Sequence, residues 1–208
     1  MTIFLFASVY AAAKPIVDAV HPMLFAAGRM LPAGLLILGF AWLRHVPLGL
    51  EWRELARLGG VALVGVTAFQ ASWGLALERT SAGEGAVLIA TSPIFGVILE
   101  RLRGARAGWT AWAGVLIAFL GVALVVNKSF SQLTLAPDSL AGGLLWLTAA
   151  LAWAIYTALS PPIVARHGAI KAVGYVCLLG GLSFLPLATP MALAQDWSRL
   201  EAADWLAF

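Results

Sequence analysis

The feature that most restricts this chain is a succession of apolar runs, each about as long as a bilayer is thick, joined by short polar links. A membrane-crossing helix needs about 20 mainly apolar residues. Such runs occupy Met23 to Leu43, Leu58 to Leu77, Gly85 to Leu102, Thr110 to Val126, Leu140 to Leu159 and Ala172 to about Ala188. A further run, Met1 to about Val20, is apolar apart from Lys14 and Asp18. With 62% hydrophobic and 11% charged residues the composition lies outside the range of soluble domains, and the expected fold is an all-α polytopic membrane helix bundle.

The links hold turn formers and charges, as in "RHVPLGLEWRELAR", "ERTSAGE", "RLRGARAG", "NKSFSQLTLAPDS" and "RHGAIK", and none is long enough to be a domain. The cations alternate. Links after the second, fourth and sixth spans carry eight Lys and Arg, and those after the third, fifth and seventh carry three. Positive charges stay on the cytoplasmic side, so the first span runs outward, and Asn127 to Ser139 is an external loop. A cleaved signal peptide is a rival account of the first run and gives the same orientation downstream, but no basic residue precedes that run. The chain starts within a span and stops at "ADWLAF" as an eighth would begin, so it is expected to be part of a longer protein. The single cysteine, Cys177, excludes an internal disulfide and reads as a packing residue.

Two stretches resemble one another: "YAAAKPIVDAVHP" from Tyr10 and "YTALSPPIVARHG" from Tyr156. They lie five spans apart, so the second enters the membrane in the opposite direction. An inverted-topology repeat of this kind builds many secondary transporters, with the substrate site near the midplane between the halves.

The chain resembles the EamA family of the drug/metabolite transporter superfamily along its length. The resemblance rests on "FASVYAAAK", on "HPMLFAAGRMLPAGLLIL" with its early arginine, and on "FQASWGLALERTSAGEGAVLIATSPIF" with its Thr-Ser-Ala-Gly turn and central proline. "WAGVLIAFLGVALVV" and "LAGGLLWLTAALAWAIYTAL" continue it. The resemblance implies inverted five-span repeats: residues 1–126 as the first, 127–139 as the external loop between them, and 140–208 as the start of an incomplete second. Two departures stand out. Ala105 follows Gly104 where the family has a glutamate, and spans eight to ten have no counterpart here.

A cation at a span centre costs roughly 2.5 to 3.5 kcal/mol, so Lys14 and Arg29 need a reason. Both sit about 10 Å below the outer surface at 1.5 Å per residue, where they could face one cavity and attract an anion. The competing readings are a snorkelling Lys14 and an Arg29 paired with Glu84. Polar and aromatic stripes at helical spacing join them: Tyr10 with Lys14; Thr67, Gln70 and Gly74; Trp153, Tyr156, Thr157 and Ser160; and Glu84, Thr91 and Ser92 beside Pro93. The candidate substrate-binding set is therefore Tyr10, Lys14, Arg29, Gln70, Trp73, Glu84, Ser92, Trp153 and Tyr156. Each stripe also suits hydrogen bonding between packed spans.

His21, His45 and His167 are too dispersed for one metal site, "GEG" at Gly83 is no phosphate loop, and no nucleophile–base pair lies in the bilayer. No cofactor, metal, enzymatic activity or nucleic-acid partner is expected. The expected partners are lipids and a small-molecule substrate, with a homodimer as one arrangement. The expected function is alternating-access export of a small metabolite or amphipathic compound across the cell (inner) membrane. A non-transporting scaffold is the alternative.

Overall fold

A computed structural model describes the backbone of residues 20–104, 108–130 and 137–195 and, within these, all side chains except 82, 118, 121–130 and 137–139. All regular structure in the described residues is helical. Helix α1 spans Pro22–Leu43. Helix α2, Trp52–Ala62, passes through a π-helical segment, Leu63–Ala68, into α3, Phe69–Arg79. The crossing after it is broken into α4, Ala82–Ile89, and α5, Ser92–Leu102. Helices α6, Trp109–Phe130, α7, Pro137–His167, and α8, Ala169–Ala194, follow. Five of the resulting rods are long and apolar enough to cross a bilayer: α1, α2 through α3, most of α4 with α5, α7, and α8. The chain is a multi-pass membrane protein. Large side chains such as Leu36, Phe40, Ile117 and Leu187 stand exposed on the bundle, as lipid-facing residues must.

The elements end where local chemistry stops them. At the end of α1 the Val46 amide donates to the Ala41 carbonyl and the His45 amide to Trp42, both at 2.9 Å, with His45 at φ 56°. This is a Schellman motif whose left-handed position usually goes to glycine. Pro93, at the second position of α5, sets the break after Ile89, where Thr91 Oγ1 donates to the Leu88 carbonyl (2.6 Å). Between α7 and α8 the expected link "RHGAIK" shrinks to Gly168 alone, at φ 80°. Helix α6 likewise extends through Phe130, into the segment expected as an external loop.

Two cations counted as loop charges hold the bundle instead. Lys171 is buried, and its Nζ donates to the Gly49 carbonyl at 2.7 Å; Tyr175 donates to the Leu48 carbonyl at 2.8 Å. Together they strap the link between α1 and α2 to α8. Arg103 donates to the Ala158 carbonyl at 3.0 Å. That carbonyl has no helical donor because the residue four positions on is Pro162, so the arginine satisfies a group that the proline stranded.

The most extensive contact is the antiparallel pairing of α1 with α8. Gly34 packs on Leu178, Leu31 on Gly181, and Leu38 on Gly174. The register has a reciprocal form. The offset that carries Pro15-Ile16-Val17 onto Pro162-Ile163-Val164 also carries Leu31 onto Leu178 and Gly34 onto Gly181. Each leucine therefore fills the notch left by the counterpart of its own glycine, as across a two-fold axis perpendicular to the helices. Small residues let the backbones approach this closely in lipid. Around the seam the core is made of Phe25, Leu58, Leu77, Trp146 and Phe184.

Candidate functional site

Helix α3 and the π segment before it sit between α1 and α7, and most of the candidate residues face this junction. Phe69 lies 5.2 Å from Trp153 between ring centroids, and Trp153 lies 5.5 Å from Tyr156. The Tyr156 ring packs directly on Gly65, where any side chain would collide with it. A turn along, buried Trp73 meets Trp146 edge-on at 6.3 Å, and Trp146 Nε1 donates to Thr80 Oγ1 at 2.7 Å. On the opposite side of α3, buried Gln70 donates from Nε2 to Met30 Sδ at 3.8 Å. The π segment matters here: its widened turn brings Gly65 toward α7, while Val66 packs on Gly180 and Thr67 Oγ1 lies 2.5 Å from Ser183 Oγ.

Arg29 lies next to Met30 on α1, half-buried, with its guanidinium 5.0 Å above the centre of the Phe25 ring. Its Nε is buried and has no hydrogen-bond partner among the described residues. A cation–π contact compensates part of the desolvation, about 2 kcal/mol in a dry setting. The competing reading, an Arg29–Glu84 pair, does not form. Glu84 closes a capping box instead: its Oε2 accepts from the Ser81 amide at 2.9 Å and from Ser81 Oγ at 3.2 Å, and Ser81 Oγ accepts from the Glu84 amide at 3.2 Å.

The candidate residues thus form two groups joined through α3. One is Gln70 with Met30 toward α1; the other is Phe69, Trp73, Trp153 and Tyr156 toward α7; Arg29 stands apart from both, over the Phe25 ring of its own helix. Ser92 opens α5, half-buried, and Glu84 belongs to the start of α4, so neither joins these groups. Tyr10 and Lys14 lie outside the described residues. Some stripes are packing surfaces. Thr157 and Ser160 return their hydroxyl protons to carbonyls of their own helix at 2.9 and 2.6 Å, and Gly74 receives Pro22. Phe69, Gly65 and Ser183 were not picked out as site residues. The reciprocal Leu–Gly spacing of α1 and α8 could have flagged Ser183; nothing in the sequence marks the π turn.

The described residues thus form a multi-pass helical bundle with an aromatic and polar seam between its spans and a cation, Arg29, held in an apolar span. The EamA-like transporter family profile matches residues 1–127, and the chain belongs to that family. An uncharacterized transporter of Synechocystis sp. is 31% identical over 97% of this chain and 65% of its own length. The uncharacterized inner membrane transporter YedA of Escherichia coli is 28% identical over 80% of this chain and 55% of its own. A probable terminal-alkyne amino-acid exporter of Streptantibioticus cattleyicolor is 29% identical over 70% of this chain and 48% of its own. The chain thus spans about half to two thirds of the length of these relatives. A solved crystal structure shares the fold, with a TM-score of 0.75 at 21% identity, covering 99% of this chain and 68% of that one.

Proposed function

We propose that the protein is a secondary transporter of the cytoplasmic membrane that exports a small metabolite or amphipathic compound by alternating access. The observation that carries this reading is the Arg29 guanidinium, a cation kept inside an apolar span with one N–H that has no partner among the described residues. A purely structural bundle gains nothing from that cost. The tilted aromatic group from Phe69 to Tyr156 supplies an apolar wall between α3 and α7, and Gln70 supplies an amide between α3 and α1. This set suits a molecule with a carboxylate at one end and an apolar body, such as an amino-acid-like compound. Binding at such a place, between elements assigned to opposite halves of an inverted repeat, is what alternating access requires.

The reading is tested in inside-out vesicles from cells producing the full-length protein. Uptake of a panel of radiolabelled amino acids, neutral amino-acid analogues and aromatic carboxylates is measured with and without an ionophore. At least one compound should accumulate above vesicles lacking the protein, and Arg29→Met should abolish the difference at equal expression. If no member of the panel is moved, or if transport survives Arg29→Met, the reading fails.

A further inference from the structure

Below the aromatic group the ends of α2 and α7 part, leaving a cleft of about 570 Å3. Its walls are apolar: Leu58 and Val61 on one side, Leu159, Pro162 and Ile163 on the other. Its upper end is blind, because Gly65 and Tyr156 meet directly above it. Its mouth is charged. Arg57, Arg166, Glu54 and His167 line the cleft there. Glu54 Oε1 lies 2.8 Å from Arg166 Nη2 and 3.8 Å from His167 Nε2, while Oε2 accepts the Glu51 amide at 3.4 Å. The carboxylate is 14% exposed and the Arg166 side chain 61% exposed, so the arginine keeps most of its fork open to a second acceptor. Among the described residues Arg57 has no ion-pair partner.

One carboxylate, Glu54, is paired with Arg166, and a second guanidinium, Arg57, lines the same cleft, whose walls are apolar. A polar neutral molecule would find no partners in such a pocket, and an amphipathic cation would meet the arginines. What fits is an anionic group on an apolar body, because a guanidinium takes a carboxylate or phosphate in a two-pronged hydrogen bond. We propose that this cleft is a vestibule for amphipathic anions on the cytoplasmic side, with Arg166 receiving the charged group and Glu54 acting as the latch that the group displaces. The word vestibule rests on the transport reading; the binding site does not. The wall can move because Pro162 has already removed one helical hydrogen bond, and Arg103 holds the freed Ala158 carbonyl from outside the helix.

The test reads binding and not transport. Gly60, which lines the cleft and where an added Cβ meets nothing within 4 Å, becomes the only cysteine in a Gly60→Cys, Cys177→Ser full-length protein. In inside-out vesicles its labelling by an impermeant maleimide is followed against laurate, dodecylammonium and dodecyl maltoside. Laurate alone should slow labelling. Arg166→Gln should raise the half-protecting laurate concentration about tenfold or more, and Arg166→Lys should recover part of the loss. Glu54→Gln should lower that concentration severalfold, because the competing carboxylate is gone; a merely structural ion pair would give the opposite sign. Equal protection by all three amphiphiles would reduce the cleft to an apolar crevice and overturn the proposal. Full protection in phosphatidylglycerol liposomes but not in phosphatidylcholine, with no further effect of laurate, would make it a lipid groove and overturn it as well. Protection by laurate in a protein that moves no panel compound would leave the site standing and the transport reading defeated.

Discussion

At the scale of single residues, Arg29 shows how far a sequence can be read and where reading stops. A cation in an apolar run is conspicuous, and its burial on α1 follows from its position. Its partners are a matter of packing. The pairing with Glu84 failed for a reason already written in the chain: Ser81, three residues before Glu84, forms a serine–glutamate capping box, and a local partner wins over a distant one. Phe25, which does meet Arg29, sits four residues earlier on the same helix face. Arg29→Lys keeps the charge but loses the planar fork, so transport should be partly retained, whereas Arg29→Met should lose it while membrane insertion is unchanged or improved. Uptake and expression measured together separate these outcomes. Arg103 makes the same point about charge counting, since a topology signal also served as a cap. Arg103→Met should lower stability by about 1 kcal/mol in the native protein and by much less in a Pro162→Ala background, where Ala158 regains its helical donor. A double-mutant cycle in denaturant titration checks the coupling.

At the scale of elements, the apolar runs gave six of the helices to within a few residues at most ends, because lipid forces each crossing to satisfy its own backbone. Extensions beyond the runs were not legible. Helix α2 begins at Trp52, ahead of the run at Leu58, because amphipathic residues there form a helical turn at the charged end of the bundle. The π segment has no proline or glycine pair to announce it, and it is held by what Gly65, Val66 and Thr67 touch. His45 is a residue that the helix end would rather replace. It holds a left-handed conformation that costs an L-residue about 1 kcal/mol or more. His45→Gly should raise stability by about that amount, read as a higher midpoint of thermal unfolding in detergent. A fall would mean that the imidazole makes a contact worth more than the strain.

For the whole molecule, the contacts place the α2–α3 crossing and α7 head to tail: Glu54 and Arg166 meet at one end, Thr80 and Trp146 at the other. This fixes which ends lie together, and the cation count adds which of them faces the cytoplasm. Single cysteines in a Cys177→Ser background test the orientation. An impermeant reagent applied to intact cells should label Gln132→Cys and leave Leu50→Cys unlabelled, with the reverse pattern in inside-out vesicles. The packing of α1 on α8 makes a separate prediction. Gly34→Ala and Gly181→Ala insert a methyl into related notches, and each should cost about 1 to 3 kcal/mol, with Gly34→Ala the costlier because its methyl meets the Leu178 backbone. An equal or larger loss for Gly181→Ala in the same titration would overturn that order.

The same reciprocity limits what that seam can do to an equilibrium. A contact surface that maps onto itself when turned end over end has the same energy in an arrangement open to one side and in its counterpart open to the other, so it cannot favour either. The bias has to come from positions where the counterparts differ in kind. On these two helices the positions that differ in charge are Arg29, whose counterpart is Val176, and Lys171, whose counterpart is Leu24; Tyr175 opposite Gly28 and Ser183 opposite Leu36 differ in hydrogen bonding. The leucine–glycine seam would then set how firmly the two helices are joined, and these two cations, with the straps they hold, would set the resting population.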